Sequence, residues 1–413
     1  MRTESPLMQA RAPDPARAGT ASADPYPVLV VHNTYQQRGG EDAVVEAEVS
    51  LLRQHGHPVH EYRRSNDDIK QMAHANAALQ ALWSRRTIRD VTALIQTHRP
   101  ALMHVHNSFP LVSPSVYWAA ARHRLPVVQT LHNFRLICPQ AMLLRDGKVC
   151  QDCVGRLPWR AVQHACYRGS TAQSFVAASV LQGHRLLGTW QHKVTRYIAL
   201  NDFCRDRFIA GGLPAERIHV KPNFLDLPPA APRPRNGFLF VGRLSAEKGL
   251  KTLVEAMRQS HAECRLTVIG IGPEAAQIDG HARIEMLGQQ PRSKVIEAMR
   301  NATAVVVPSI WYEAFPLVIV EAQACGTPVI CSRIGAMPSL VAHGETGLHF
   351  NPGDAADLAD TLNWAQANPE AMASMAHRAR DHYEQHLTSA SNYRQLRSIY
   401  DGAISAVSGA HDT

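Results

Sequence analysis

The chain has 413 residues and a formal net charge of +8 at neutral pH, and its length suggests two domains of ordinary size. Hydrophobic residues make up 45% of it and charged residues 19%, which is typical of a globular protein with an ample core. No run of about 18 apolar residues and no signal-type N-terminal stretch occurs, so we expect neither a membrane span nor secretion. The basic excess favours an anionic partner (phosphate, nucleic acid or an acidic membrane surface) without choosing among them.

The N-terminal part of the chain alternates predicted strands with helices. Residues 1–26 are rich in Pro, Ala and Arg and are expected to form a disordered tail. The first strand is expected at 28–31, and a Gly39-Gly40 turn opens the helix that follows. The next strand is expected to start at 57–59, and further strands are expected at 101–106 and 127–132. Strands that alternate with helices indicate parallel βαβ units, so residues 27–222 are predicted to form a Rossmann-like domain.

Glycines and histidines of this half are candidates to face a ligand. Gly40 lets backbone amides approach a phosphate or a sugar closely, although a tight turn explains the glycine pair equally well. His132 ends its predicted strand, but a lone His is more often structural than catalytic. His104 and His106 alternate along an earlier strand, so we expect only one of them to face a cleft, and we favour His106.

Four cysteines follow within 29 residues, in the order C-x11-C-x2-C-x12-C: Cys138, Cys150, Cys153 and Cys166. A C-x2-C pair with two flanking thiols can supply four thiolate ligands to a zinc ion. The alternative is four reduced thiols packed in a loop. We therefore predict a Cys-rich insert at 138–168, with structural zinc as its candidate metal.

The same insert is basic and aromatic. It carries Arg156, Trp159, Arg160, Tyr167 and Arg168. Side chains of this kind bind membrane interfaces, and a solvated loop is the alternative interpretation.

A proline-rich linker is predicted at 223–236, because the stretch KPNFLDLPPAAPRPRN (221–236) holds five prolines and cannot continue a helix or a strand. The alternation then restarts over 237–387 and predicts a second Rossmann-like domain. Its expected strands are 238–241, 265–269, 283–287, 304–307 and 329–331. Residues 388–413 are predicted to form a closing helix and tail, with one apolar stripe made by Tyr393, Leu396, Tyr400 and Ile404.

The loop after the first of these strands carries two cations, Arg243 and Lys248, in the stretch FVGRLSAEKG (240–249). Ligands of open α/β sheets bind at the carboxyl ends of strands. The Arg fork and the mobile Lys charge suit phosphate oxygens and could neutralise a diphosphate leaving group. A pair of solvated surface cations is the alternative.

Two carboxylates, Glu313 and Glu321, are separated by seven residues in VPSIWYEAFPLVIVEA (307–322). Glu313 is expected in the loop after a strand, and Pro316 in the first turn of the helix that holds Glu321. Carboxylate oxygens accept strong hydrogen bonds from sugar hydroxyls, and the helix start offers free amides. The spacing alone is a weak signal, but its place downstream of the cationic loop makes it a strong one.

These stretches resemble the retaining glycosyltransferases of family 4, whose E-x7-E signature matches the two carboxylates. The G-R-L-x-x-E-K-G loop, the S-x-x-x-E-x-F-P-L block and E-A-Q-A-C-G-T-P-V-I fit as well. The resemblance runs from about residue 28 to the C-terminal helix, and relatives carry a similar Cys-bearing insert. It implies a GT-B architecture: an α/β fold of two Rossmann-like domains facing across a cleft, with the C-terminal helix packing back on the N-terminal domain.

The resemblance also implies site roles. Arg243 and Lys248 would hold the donor diphosphate, Glu313 would bind hydroxyls of the transferred sugar, and Glu321 would bind the ribose. The backbone of Phe315, Pro316 and Leu317 would support the sugar. The base would pack near Leu287.

The resemblance implies that residues 27–222 form the acceptor domain and residues 237–387 the nucleotide-sugar donor domain. In the N-terminal half, it implies that Gly40 faces the cleft and that His132 contacts the donor sugar. The implied reaction is retaining transfer without a catalytic metal, from a UDP- or GDP-sugar to a glycan or lipid-linked acceptor in cell-surface polysaccharide biosynthesis. We expect a cytoplasmic protein with optional peripheral contact at the inner membrane face. A nucleotide-sugar epimerase or hydrolase on the same fold is the alternative. Nucleic acid is not expected as a partner, because the sequence offers no recognition helix and no sheet of interleaved aromatic and basic residues.

Overall fold

The computed structural model describes residues 24–36, 39–229, 231, 233–278 and 280–409. Residues 1–23 of the expected tail lie outside them. The described residues form two six-stranded parallel sheets flanked by helices, with one small antiparallel hairpin. The predicted α/β class with two Rossmann-like sheets is therefore confirmed.

The first sheet is built from the N-terminal half of the chain. The strands of this half are β1 (Val28–Thr34), β2 (Val59–Ser65), β3 (Leu102–Asn107), β4 (Val127–Leu131), β5 (Leu144–Arg145), β6 (Lys148–Val149), β7 (Arg196–Ala199) and β8 (Ile218–Val220). The sheet runs β2-β1-β3-β4-β7-β8, while β5 and β6 form the hairpin. The central strands β1, β3 and β4 are buried almost throughout, because helices cover both faces of a parallel sheet.

Eight helices accompany this sheet. They are α1 (Gly40–Gln54), α2 (His74–Leu82), α3 (Arg85–His98), α4 (Ser115–Arg122), α5 (Trp159–Gln163), α6 (Thr171–Leu186), α7 (Thr189–His192) and α8 (Asp202–Ala210). In α1 the apolar side chains of Val45, Val49 and Leu52 recur at helical spacing and are buried against the first sheet.

The second sheet is built from the C-terminal half. Its strands are β9 (Phe238–Val241), β10 (Leu266–Ile269), β11 (Ile284–Gly288), β12 (Ala304–Val307), β13 (Val329–Ser332) and β14 (Gly347–Phe350). The helices of this half are α9 (Leu250–Gln259), α10 (Arg292–Asn301), α11 (Leu317–Ala324), α12 (Met337–Leu340), α13 (Ala355–Ala367), α14 (Pro369–His386) and α15 (Ser389–Ser408). The sheet runs β11-β10-β9-β12-β13-β14, the order of a doubly wound dinucleotide-binding sheet.

The closing helix α15 crosses back to the first sheet. Its Leu396 and Tyr400 are fully buried against Val28 and Val128 of that sheet. Burial of such side chains stabilises the fold by about 1.5–3 kcal/mol each. The predicted return of the C-terminal helix to the N-terminal domain is thus confirmed.

Every predicted strand is present, with ends shifted by a few residues. Strands β7, β8 and β14 were missed, and so was the β5–β6 hairpin. These strands are only two to four residues long and most of them carry polar residues, such as His349 of β14, so short apolar runs at most mark them.

Both sheets reverse their strand order at one point. The reversal lies between β1 and β3 in the first sheet and between β9 and β12 in the second. Ligands of open α/β sheets bind in the crevice at the carboxyl ends of such strands. The loops after these four strands are therefore the expected ligand-binding positions.

Candidate functional site

The loops after β9 and β12 bring Lys248 and Glu313 together. Lys248 ends a short 3-10 turn after β9, and Glu313 lies in the loop after β12. The Lys248 Nζ donates to Glu313 Oε1 at 2.6 Å, and the Ser309 hydroxyl donates to the same oxygen at 2.6 Å. Two residues that are 65 positions apart in the sequence thus form one charged pair at the point where the strand order reverses.

The Glu313 carboxylate is ionised although it is only 6% exposed. Burial alone would raise the pKa of this carboxyl, but the Lys248 ammonium and its hydrogen bond outweigh burial and hold the pKa below its usual value. The pair is therefore a fixed anion beside a fixed cation. Such a pair can meet sugar hydroxyls on one side and phosphate oxygens on the other.

Gly249 explains how the two loops come so close. It adopts a left-handed φ of +73°, and a Cβ added there would lie 1.8 Å from the Pro308 carbonyl oxygen. Only glycine allows this contact between the β9 loop and the β12 loop. Arg243 lies in the same β9 loop and is exposed, so its guanidinium is open to a ligand.

Helix α11 and the residues just before it supply the other predicted donor residues of this segment. Pro316 precedes its first residue, Leu317, and the Phe315 side chain is buried against the core of the second sheet. Glu321 is half-buried, and its carboxylate lies 3.7 Å from the Arg292 guanidinium. Burial raises the pKa of Glu321, and Arg292 opposes this only in part. Glu321 thus lies in the helix that follows the Glu313 loop and does not contact the Lys248–Glu313 pair.

Leu287 lies near the carboxyl end of the edge strand β11. Leu287 is 40% exposed and its neighbour Met286 is 43% exposed. Exposed apolar side chains on an edge strand offer a flat ligand such as a nucleobase a surface to pack on.

On the N-terminal side, His132 follows β4 directly and is tied to a buried histidine of β3. Its Nε2 lies 2.9 Å from His106 Nδ1. Behind His106 lies Glu48 of α1, whose Oε1 is 3.3 Å from His106 Nε2 and 3.0 Å from His104 Nδ1. The other carboxylate oxygen of Glu48 accepts from Lys221 Nζ at 3.0 Å.

This arrangement favours one tautomer of His132. Burial, followed by the neighbouring histidine in each case, lowers the pKa of His106 to about 3 and that of His132 well below its usual range, so both rings are neutral. The Glu48 Oε1 and His106 Nε2 atoms lie 3.3 Å apart without hydrogen-bond geometry, but the negative charge of Glu48 still favours a proton on His106 Nε2 and a lone pair on its Nδ1. His132 then donates from Nε2 and keeps Nδ1 as a hydrogen-bond acceptor.

Gly40 begins α1 at a contact between the two domains. A Cβ added at Gly40 would lie 3.2 Å from Leu317 Cδ1 of α11. Close by, the Asn201 side chain donates to the Ala314 carbonyl oxygen at 2.6 Å. The helix start that the glycine pair predicts therefore faces the loop that holds Glu313.

Glu41, next to Gly40, was not singled out in the sequence. Its Oε2 accepts from Tyr35 Oη at 2.9 Å and lies 3.3 Å from Asn133 Nδ2, while its buried Oε1 has no hydrogen-bond partner among the described residues. Burial raises the pKa of Glu41 to about 8. The Glu41 carboxyl therefore lies beside both predicted cleft residues: it is next to Gly40 in the chain, and it contacts Asn133, which follows His132.

Glu48 and Lys221 were missed as well. A signal for Glu48 existed, because it falls among Val45, Val49 and Leu52 on the core face of α1, where a charge needs a partner. The sequence could not name that partner.

The four cysteines of the insert line one cavity of about 20 Å³. None of them forms a disulfide. In the described part of the chain, the one set of metal-type ligands whose donor atoms all lie within 4.8 Å of one another is Glu48, His104 and His106. Lys221, Tyr400 and Thr130 already bond that set. The thiols have the right donor chemistry for zinc and would have to close inward on the ion.

Zinc in the insert remains a prediction. If Cys138, Cys150, Cys153 and Cys166 bind it, the purified protein should hold about one equivalent of Zn, and Cys153→Ser should lose the metal and lower the Tm. The ion would tie a segment that otherwise has only the β5–β6 hairpin and one short helix. Elemental analysis under reducing conditions measures this.

Cys264→Ser, which changes a buried thiol of the second sheet's domain, is the matched control and should keep the metal. A metal-free protein with full stability would leave packing as the role of the four thiols.

No helix among the described residues is both long and apolar enough to cross a bilayer.

Comparison with known proteins supports the interpretation of this geometry. The family model "Glycosyltransferase Family 4" matches residues 38–228, and "Glycosyl transferases group 1" matches residues 228–382. The D-inositol 3-phosphate glycosyltransferase of Corynebacterium efficiens is 34% identical over 183 residues, which are 40% of this chain and 43% of that protein. The phosphatidyl-myo-inositol mannosyltransferase of Mycobacterium leprae is 33% identical over 214 residues, 48% of this chain and 56% of that protein. The chain thus spans about half the length of these curated relatives.

Among solved structures, HepE of Anabaena in complex with UDP-glucose has a similar fold. The TM-score is 0.62 at 19% identity, over 91% of this chain and 99% of that chain. Since two glycosyltransferase family models match it in order from residue 38 to residue 382, and since its two sheets have the matching fold, the chain belongs to family 4 of the glycosyltransferases, with GT-B architecture.

Proposed function

We propose that the protein is a retaining glycosyltransferase that moves a sugar from a UDP- or GDP-sugar to a glycan or lipid-linked acceptor. The observation that carries this proposal is the Lys248–Glu313 pair at the reversal point of the second sheet, with Arg243 open beside it. The curated relatives are named for glycosyl transfer, and HepE was solved with UDP-glucose, which supports a nucleotide-sugar donor.

In the proposed reaction the bond between the anomeric carbon and the diphosphate oxygen breaks. The acceptor oxygen forms the new bond on the same face, and its proton passes to the departing diphosphate. Arg243 and Lys248 stabilise the negative charge that grows on this leaving group. Glu313 and the free Nδ1 of His132 accept hydrogen bonds from hydroxyls of the transferred sugar.

The remaining donor contacts follow the same assignment. Glu321 binds the ribose and Leu287 packs against the base, while the start of α11 at Phe315, Pro316 and Leu317 offers backbone amides to the sugar. The proposed transfer step uses no catalytic metal.

The stereochemistry of transfer tests the proposed function. Incubated with an α-linked UDP- or GDP-sugar and a glycan acceptor, the protein should form an α-linked product, and proton NMR of the first product measures the linkage. A β linkage would contradict the retaining class. Equal donor consumption with and without acceptor would instead favour the epimerase or hydrolase alternative.

We further propose that the protein contacts the inner face of the cell membrane through its N-terminal domain. Leu79 of α2, Trp159 of α5 and Phe175 of α6 are 63%, 46% and 53% exposed, and the last two rings stack with centroids 6.0 Å apart. Arginines such as Arg160 lie beside them. Exposed aromatic and basic side chains bind anionic lipid surfaces.

The double variant Trp159→Ser/Phe175→Ser should bind vesicles of phosphatidylcholine and phosphatidylglycerol about tenfold more weakly than the unchanged protein, because it loses two apolar contacts. Cosedimentation measures this. Ile271→Ser, at an equally exposed site in the second domain, should bind as before. Unchanged binding by the double variant would show that this surface faces solvent.

A further inference from the structure

A cavity of about 600 Å³ lies at the reversal point of the first sheet. Tyr35, which follows β1, and Asn107 and Phe109 at the end of β3 form its floor. Its position in this sheet corresponds to that of the Lys248–Glu313 pair in the second sheet. The general rule for α/β sheets therefore marks it as a ligand site of its own.

Two arginines give the cavity a positive charge. Arg135 lies between two aromatic rings, with its Cζ 4.6 Å from the Phe109 centroid and 4.9 Å from the Tyr167 centroid. The Arg168 Cζ lies 5.5 Å from the same Tyr167 centroid. The Arg135 guanidinium donates to the Pro139 carbonyl oxygen, an uncharged acceptor, and within the described part of the chain neither guanidinium forms an ion pair with a carboxylate. Their charge is available to a ligand.

The opposite wall of the cavity is apolar. It is made by small side chains of α2 and α6, among them Ala77, Ala78 and Val176. The outer faces of the same two helices carry the exposed Leu79 and Phe175. The cavity thus combines cationic and apolar lining, and the helices that supply the apolar part also carry exposed apolar side chains.

A chain of polar contacts connects the cavity to the cleft. Tyr35 lines the cavity and donates to Glu41 at 2.9 Å. Asn133 Nδ2 lies 3.3 Å from both Tyr35 Oη and the Glu41 carboxylate, and Asn133 follows His132 in the chain. A molecule held in the cavity can therefore present a hydroxyl beside Glu41 and His132.

We propose that this cavity binds the acceptor, and that the acceptor is an amphiphile with a phosphate group. The phosphate would lie at Arg135 and Arg168, where the guanidinium forks match its oxygens. The apolar part would run along Ala77 and Ala78. This inference rests on the proposed function for its role in transfer, but not for the binding itself. It also gives the Cys-rich insert a purpose, because Tyr167 and Arg168 directly follow Cys166.

Calorimetric titration of the full chain with octyl phosphate, below its micelle concentration, tests the inference. Octyl phosphate should bind at least tenfold more tightly than octyl β-glucoside, which lacks the phosphate, or inorganic phosphate, which lacks the alkyl chain. Arg168→Gln and Arg135→Gln should each weaken binding by about 10- to 100-fold through loss of charge-assisted hydrogen bonds. Ala78→Trp, which fills the apolar side, should abolish it.

Arg89→Gln is the matched control, because Arg89 is an exposed arginine of α3 that does not line the cavity. Equal affinity for octyl glucoside would overturn the phosphate, and equal affinity for inorganic phosphate would overturn the apolar part. Unchanged octyl phosphate binding by Arg168→Gln and Ala78→Trp would place the ligand elsewhere. Glycosyl transfer to a neutral acceptor without octyl phosphate binding would defeat this inference alone. Octyl phosphate binding without any transfer would defeat only the proposed function.

Discussion

Replacing Lys248 with Met should lower kcat for glycosyl transfer by about 100- to 1000-fold, the usual cost of removing one fixed group that stabilises charge in a transition state. The charge on the diphosphate grows as the glycosidic bond breaks, so the loss should fall on kcat more than on KM. Initial rates at saturating donor measure this. Arg243→Gln should show the same pattern without disturbing the fold, because Arg243 is exposed.

A structural effect must be separated from this catalytic one. Lys248 is the ion-pair partner of the buried Glu313, so Lys248→Met leaves a buried carboxylate without its cation. The double variant Lys248→Met/Glu313→Gln removes that charge and should recover the Tm without recovering kcat. If the double variant regained activity along with its Tm, the role of Lys248 would be structural.

Glu321→Ala is the matched control for the donor site. Loss of a hydrogen bond between a carboxylate and the ribose costs about 1.5–3 kcal/mol, so the donor Kd in calorimetry should rise by about 10- to 100-fold. At saturating donor its kcat should stay close to that of the unchanged protein. Normal kcat in both the Lys248 and the Arg243 variants would mean that these residues are surface cations.

The proposed donor site could be predicted from sequence because Arg243, Lys248 and Glu313 lie in the loops that directly follow two apolar strands. The apolar strand Phe238–Val241 ends before Gly242, and Ala304–Val307 ends before Pro308, so the sequence predicts where both loops begin. The pairing of Lys248 with Glu313 was not visible. It depends on β9 and β12 being neighbours in the second sheet, a fact of topology.

The N-terminal half was less predictable, because its contacts join distant segments. Glu48 and Lys221 are 173 positions apart, and Lys221 stands at the start of a proline-rich stretch that looks like a solvated linker. Tyr35 and Asn107 meet in the cavity only because β1 and β3 are paired. No local pattern encodes such meetings, which the tertiary fold alone decides.

Replacing the buried Lys221 with Met should lower the free energy of unfolding by about 3–5 kcal/mol, because it strips the partner from a buried carboxylate. Lys221 is 1% exposed, and its ammonium joins Glu48 of α1 to Asn392 of α15 at 3.0 and 3.1 Å. One side chain thus connects the first helix, the start of the linker and the closing helix. Urea unfolding measures the loss, and Lys193→Met, at a partly exposed lysine of the same domain, should change stability little.

The double variant Lys221→Met/Glu48→Gln should recover part of that stability, since no charge is then left unpaired.

The pH dependence of Lys221→Met gives a second check. In the unchanged protein the low pKa of His106 means that the unfolded chain binds more protons, so stability falls as the pH drops below about 6.5. Without Lys221 the Glu48 charge acts on His106 unopposed and raises its pKa. Protonation of His106 then replaces the lost cation, so the difference between the two proteins should shrink toward pH 5.5. A difference that stays constant from pH 8 to pH 5.5 would show that Glu48 does not act on His106.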